Sequence, residues 1–190
     1  MAKINDNLLV KGARGNVGKQ FVYRKHGNNT MIVRMPRINE NAVGTEEQLA
    51  KRELFASAAM YAQGAIQSAE LKKEYQKKAP PGKTAYNMAL RDFLIAPVVK
   101  KINTEKYNGT PGSTIIIHAK DDFRVIEVKV SIYLASTGDL LEEGNATLAP
   151  INREQWIYTA TQANAAMEPL KIVATATDVP GNTAVLEATV

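Results

Sequence analysis

The sequence predicts an α+β protein of two domains, a basic hairpin-plus-helical domain over residues 1–108 and an acidic antiparallel β-sandwich over 109–190. Three observations point there. Residues 1–110 carry 19 Lys and Arg against 9 Asp and Glu, whereas residues 111–190 carry 5 against 10. A swing of that size marks two surfaces of different character. Apolar residues recur at helical spacing between 46 and 95. From about residue 111, short β-rich runs alternate apolar and polar, divided by turn residues at regular intervals, which is the pattern of a sandwich.

The elements follow in order. An early strand is expected near Leu8–Lys11. Phe21-Val22-Tyr23-Arg24 and Met31-Ile32-Val33-Arg34-Met35 are rich in β-formers and flank His26-Gly27-Asn28-Asn29, so a hairpin is expected over about 19–35. Gly12, Gly15 and Gly18 precede it at every third position. Two strands alone are marginal in water and need a surface to pack on. Residues 36–44 read as a polar loop. Thr45-Glu46-Glu47-Gln48 then matches a capping box, with Thr45 as N-cap. The helix it starts runs over about 46–66, with Leu49, Phe55, Ala58, Ala59, Ala62 and Ile66 on the inward stripe. Ser68 caps a second helix, 69–78, which Pro80-Pro81-Gly82 ends. Thr84 caps a third, about 85–95, with Tyr86, Ala89, Leu90 and Phe93 inward and Pro97 closing it.

Ile115-Ile116-Ile117 reads as a buried strand. Residues 125–134 alternate, placing Ile126, Val128, Val130 and Ile132 on one face. Pro111-Gly112, Thr137-Gly138-Asp139 and Pro180-Gly181-Asn182 are turns. Strands at 156–159, 170–176 and 183–189 bring the expected number to about six or seven. Trp156 is expected to anchor the core between the sheets.

The run Ala119-Lys120-Asp121-Asp122-Phe123, the strand Val128-Lys129-Val130-Ser131-Ile132, Gly138-Asp139-Leu140-Leu141-Glu142 and Trp156-Ile157-Tyr158-Thr159-Ala160 lead to an Ala174-Thr175-Ala176-Thr177-Asp178-Val179-Pro180-Gly181-Asn182 ending. On these pieces the segment from Ile115 to Val190 resembles bacterial immunoglobulin-like modules. The resemblance implies an immunoglobulin-like sandwich and little about function, because sandwiches host many. The whole chain resembles bacterial proteins of unknown function with the same order of glycine-containing hairpin, helices and sandwich, which implies an architecture and no activity. A second resemblance lies in Pro80-Pro81-Gly82-Lys83-Thr84-Ala85-Tyr86, which is similar to the start of HMG-box DNA-binding domains. That box opens with the element, whereas here strands follow it.

Chemistry-bearing patterns are sparse. Cysteine is absent, so disulfides, thiolate metal sites and cysteine nucleophiles are excluded. His26 and His118 fall in a turn and a strand, which gives no shared site. Gly12-Ala13-Arg14-Gly15-Asn16-Val17-Gly18-Lys19-Gln20 departs from a Walker A loop in spacing and puts Gln20 where the hydroxyl belongs. Its glycines read as turn formers. Asp121, Asp122 and Asp178 follow strands and are weak metal candidates, since strand-end Asp residues more often form turns and Ca²⁺ needs six to eight oxygens. Glu142-Glu143 reads as a solvated turn edge. No catalytic motif is present, so the expectation is a non-enzyme without cofactor or resident metal.

The longest apolar stretch, Phe93 to Val99, is seven residues and contains Pro97, against about 20 for a membrane helix. The start of the chain is polar and lacks a Sec-type signal core, so the expected location is cytoplasmic, or outside the cell by a non-Sec route. The leading functional expectation is a structural protein that self-associates into a fibre, tube or ring. Phe21, Val22, Tyr23, Ile32 and Val33 would add to a neighbour's sheet edge, and the opposite charges of the two halves would dock head to tail. The alternative is nucleic-acid binding through Arg14, Lys19, Arg24, Lys25, Arg34 and Arg37, with Tyr23 stacking on a base.

Overall fold

The computed structural model describes residues 2–3, 7–10, 12–37, 43–164 and 169–190. The chain divides into two units, Met1–Thr45 and Glu46–Val190.

The first unit is an antiparallel sheet. Three strands, β2 (Gly15–Val17), β3 (Phe21–His26) and β4 (Asn29–Arg34), carry the two-residue β1 (Ala2–Lys3) at the β4 edge, in the order β1-β4-β3-β2. The expected hairpin is β3–β4. Its two-residue turn places Gly27 at φ +61°, the backbone that a type II′ hairpin asks of its first turn residue. The expected strand at Leu8–Lys11 is not found where the chain is described. Residues 8–10 form a turn, and Lys11 lies outside the described residues. Asn7 explains the turn. Its side-chain oxygen accepts from Leu9 N and its carbonyl from Val10 N, a local alternative to a sheet ladder. The strand beside the hairpin forms instead within the glycine run. Gly15 at φ +98° and Gly18 at φ +58° adopt backbone that side chains resist.

The second unit starts with α1 (Glu46–Ala65), α2 (Ala69–Lys78) and α3 (Ala85–Leu94). Ser68 Oγ accepts from Leu71 N and Thr84 Oγ1 from Asn87 N, so both N-caps act as the sequence predicts. The helices bury Ala62, Ala65, Tyr75, Ala85, Met88 and Ala89 together with Phe123. Small side chains let them approach closely. The predicted stripe of α1 is covered only in part. Ala58 and Ala62 are buried, but Leu49 is 44% and Phe55 55% exposed, because the first three turns run past the packed cluster.

Eight strands follow: β5 (Val98–Asn103), β6 (Thr114–Lys120), β7 (Val125–Leu134), β8 (Leu140–Asn145), β9 (Thr147–Leu148), β10 (Gln155–Thr159), β11 (Leu170–Asp178) and β12 (Thr183–Thr189). They make two four-stranded antiparallel sheets, ordered β5-β6-β10-β9 and β12-β11-β7-β8. Side chains from both sheets meet in one core, with Ile115, Ile117, Trp156 and Tyr158 from the first and Val128, Val130, Ile132, Ile172 and Ala174 from the second. Trp156 is buried there as expected. Strand β5 was not foreseen. It begins one residue after Pro97 and turns Val99 and Ile102 into the core. The change in charge near residue 110 therefore lies inside the second unit.

The alternation of β7 breaks at its start. Thr177 pairs with Glu127 and Asp178 with Val125, a bulge that skips Ile126 and leaves it 50% exposed. Ile126 is thus not on the inward face with Val128, Val130 and Ile132. Ile126→Lys is expected to leave stability within about 0.5 kcal/mol, whereas Val128→Ala, two positions on, should cost about 2 kcal/mol by cavity formation. Equilibrium urea unfolding of the two variants checks the difference.

Candidate functional site

Helix α3 turns Ala85, Met88, Ala89 and Asp92 toward the interior. These positions recur at helical spacing, so the fourth drives a carboxyl into an apolar face. Asp92 is 1% exposed. It meets two further carboxylates, Asp121 from the turn between β6 and β7 and Asp178 from the end of β11. One oxygen of each lies within 4.8 Å of the others. Asp178 is 0% exposed.

Hydrogen bonds hold Asp92 and Asp121 by one oxygen and Asp178 by both. Tyr75 OH donates to Asp92 Oδ2 at 2.7 Å and lies 2.9 Å from Tyr61 OH. Asp121 Oδ2 accepts from Phe123 N at 2.9 Å and Arg124 N at 2.8 Å. Asp178 Oδ1 accepts from Gly181 N and Asn182 N, and its Oδ2 accepts from Asn182 Nδ2. That same Asn182 amide reaches the carbonyl oxygens of Asp92 and Phe93. No donor reaches the buried Oδ1 of Asp92 or the buried Oδ1 of Asp121.

Burial pushes Asp92 up to about 7. The Tyr75 hydroxyl opposes this, and Asp121 and Asp178 reinforce it by charge, Asp121 also by a side-chain hydrogen bond to the protonated form. Burial also raises Asp178, against the hydrogen bonds from Asn182 and Gly181. Tyr75 and Tyr61 are raised as well, chiefly by burial. A half-open groove of about 850 Å³, lined in part by Lys77, Lys120, Asp121, Asp122, Arg124 and Arg153, gives Asp121 access to solvent.

Of the three acids singled out in sequence, Asp121 and Asp178 come together and Asp122 does not. It faces outward and pairs with Arg91 at 2.9 Å. Asp92 was missed. Its signal was an acid at the inward position of an otherwise apolar helical stripe. Glu142 also departs from expectation. It is buried, and its Oε2 accepts from Thr161 N, Thr161 Oγ1 and Gln162 N at 2.8–3.0 Å. Tyr158, raised to about 12 first by burial and then by this carboxylate, lies beside it. Only Glu143 is exposed, paired with Lys129 and bonded to Ser131.

The residues expected to make an interface divide between the two faces of the N-terminal sheet. The register sets Phe21, Tyr23 and Ile32 on one face and Val22 and Val33 on the other. All five are half-buried. Phe21 and Tyr23 make an edge-on ring pair at 5.5 Å. The six basic candidates are all exposed. Lys25 and Arg34 share the face of Tyr23, Arg24 lies on the opposite face, and Arg14, Lys19 and Arg37 lie outside the strands. No protein-family model matches the chain, and the comparisons with curated proteins and solved structures return no match either.

The folded protein holds a proton on Asp92 up to about pH 7, whereas the unfolded chain releases it near 3.8. The folded state therefore binds more protons in that window, and this group's contribution falls as pH rises from about 4 to about 7. Glu143 and Glu154 are lowered, so their contribution is lost only at more acidic pH. In chelator-treated protein, the urea midpoint is expected to fall across that window, and Asp92→Asn should flatten the decline. Glu142→Ala, which strands the Thr161 and Gln162 donors, should cost about 3 kcal/mol or more. Glu142→Gln keeps an acceptor and should cost less; thermal melts rank the pair.

Proposed function

We propose that this chain is a non-enzymatic structural protein that self-associates through its N-terminal sheet, carried beside an immunoglobulin-like module. One observation carries the reading. Among the described residues of the first unit none is buried, yet its sheet presents Phe21, Tyr23, Ile32 and Val17 on one face and Val22, Met31 and Val33 on the other. A sheet is stable when an apolar face is covered by a second layer. The described residues of this unit supply no such layer of their own. A second copy of the chain supplies it, and the excess of basic residues in 1–110 over the acidic balance of 111–190 favours a head-to-tail arrangement.

The strand order supports the immunoglobulin-like reading of the second unit. Lettered in chain order as A, B, C, C′, D, E, F and G, the eight strands form an A-B-E-D sheet and a G-F-C-C′ sheet. That is the arrangement of immunoglobulin constant domains with one added strand. The inter-sheet cysteines of antibody domains have no counterpart. Ile115 and Ile117 on B and Ile172 and Ala174 on F occupy the core there. The tryptophan stands on E, not on C.

The nucleic-acid reading has one observation in its favour, the sharing of a face by Tyr23, Lys25 and Arg34. Light scattering of nuclease-treated protein separates the two. Self-association predicts a mass well above 20.8 kDa that Phe21→Ser with Tyr23→Ser reduces to the monomer. Lys25→Glu with Arg34→Glu should leave that assembly in place. A monomer at every concentration, with salt-sensitive DNA or RNA binding lost in the charge variant, would instead establish the alternative.

A further inference from the structure

We propose that Asp92, Asp121 and Asp178 form a binding site for one hard divalent cation of calcium size, which clamps the end of α3 to the turns that follow β6 and β11. The donor set is the first argument. Carboxylate oxygens surround the site, with the Tyr75 phenol behind Asp92 and no nitrogen or sulfur ligand among them. Oxygen-only sites suit Ca²⁺, Mg²⁺ and Mn²⁺ and not the softer metals.

Spacing is the second. One oxygen from each acid lies within 4.8 Å of the others, close enough for a single ion with bonds of about 2.4 Å, the calcium value, to draw the three together. Magnesium keeps several of its waters and is held by one or two carboxylates rather than three, so calcium is the better match to this donor set.

The third argument is the lack of donors at a buried carboxyl. Asp92 is 1% exposed, and no donor reaches its Oδ1 or the buried Oδ1 of Asp121; the two carboxyls come within hydrogen-bonding reach of each other, so a proton or a cation must lie between them. Leaving such an atom without a donor is costly, and more so when it is charged. The opposite oxygens of these two residues are held by Tyr75 OH and by the Phe123 and Arg124 amides. This one-sided grip orients the vacant oxygens, as the bonds behind metal ligands commonly do. Asp178 is held by Asn182 and Gly181 and retains lone pairs on Oδ2.

Charge balance is the fourth. No ion pair among the described residues reaches Asp92, Asp121 or Asp178. Arg91 is taken by Asp122 and Arg124 by Glu74, and Lys78 donates to the Phe123 carbonyl. Three buried or half-buried carboxylates this close require either protons or a cation. The groove that Asp121 helps to line gives the cluster an approach from solvent on that side.

The competing arrangement is a proton shared between Asp92 and Asp121. The test uses the full chain, stripped with chelator and held at neutral pH. Thermal melts are recorded with Ca²⁺ and with Mg²⁺, and Tb³⁺ emission is excited through tyrosine, since Tyr75 touches a proposed ligand. The expected result is a saturable rise in midpoint with Ca²⁺, smaller with Mg²⁺, and Tb³⁺ emission that Ca²⁺ displaces at one site per chain. Asp92→Asn keeps an acceptor for Tyr75 and should weaken Tb³⁺ binding at least tenfold. Asp121→Asn, at a half-buried position, should do the same and serves if the first variant fails to fold. Absence of any Ca²⁺ effect, with Asp92→Asn raising the midpoint of the metal-free protein, would overturn the proposal in favour of the shared proton. Ca²⁺ stabilisation that survives both variants would overturn it too, by placing the ion elsewhere.

Discussion

The hydrogen bonds of Asn182 hold the second unit together where its helices meet its sheets. One amide spans the Asp178 carboxylate and the last carbonyl oxygens of α3. Around it the contacts are mutually dependent. Phe123, at the β6–β7 turn, stacks on Tyr75 of α2 at 4.0 Å. Its amide bonds Asp121, and its carbonyl takes Lys78. Tyr75 in turn places its hydroxyl on Asp92. An apolar contact and a polar one therefore share the same residues, and a change in either moves the other. Buried polar networks of this kind specify one arrangement when every member is satisfied, which makes the two vacant carboxylate oxygens the informative exception.

Local signals in the sequence were strong where the structure follows local rules. The β3–β4 hairpin follows from its turn residues, and α2 and α3 from Ser68, Thr84 and the prolines behind them. The inward face of β11 follows from Leu170, Ile172, Ala174 and Ala176. Expectation failed where a distant partner or a side chain close at hand decided the outcome. Asn7 turns a β-like run at Leu8–Val10 away from the sheet. The bulge at Asp178 displaces Ile126, although residues 125–134 alternate without a break in sequence. Asp121 and Asp178 stood out as strand-end acids, but Asp92 joins them from a helix, and no spacing along the chain reports that meeting. Glu142 looks like its neighbour Glu143 in sequence and is buried only because Thr161 and Gln162 come to it.

The two units solve the burial problem differently. The second closes an apolar core between two sheets and a smaller one among three helices, each containing fully buried side chains. The first spreads its apolar residues over both faces of a thin sheet and, among its described residues, encloses none of them. Hydrophobic stabilisation grows with area removed from water, about 25 cal/mol per Å². A sheet of this kind therefore gains most from whatever lies against it. The glycines at 15 and 18 permit β2 to form at its edge and add no side chain to the cover.

The link between Asn182 and the end of α3 joins residues about 90 positions apart. During synthesis, the three helices are complete long before that partner exists. Until residues 178–182 leave the ribosome, Asp92 faces neither Asp178 nor the Asn182 amide. Contacts this distant in sequence are slow to close. The joint between the helices and the sheets is thus one of the most distant contacts in the unit, and it can close only after nearly the whole chain has been made.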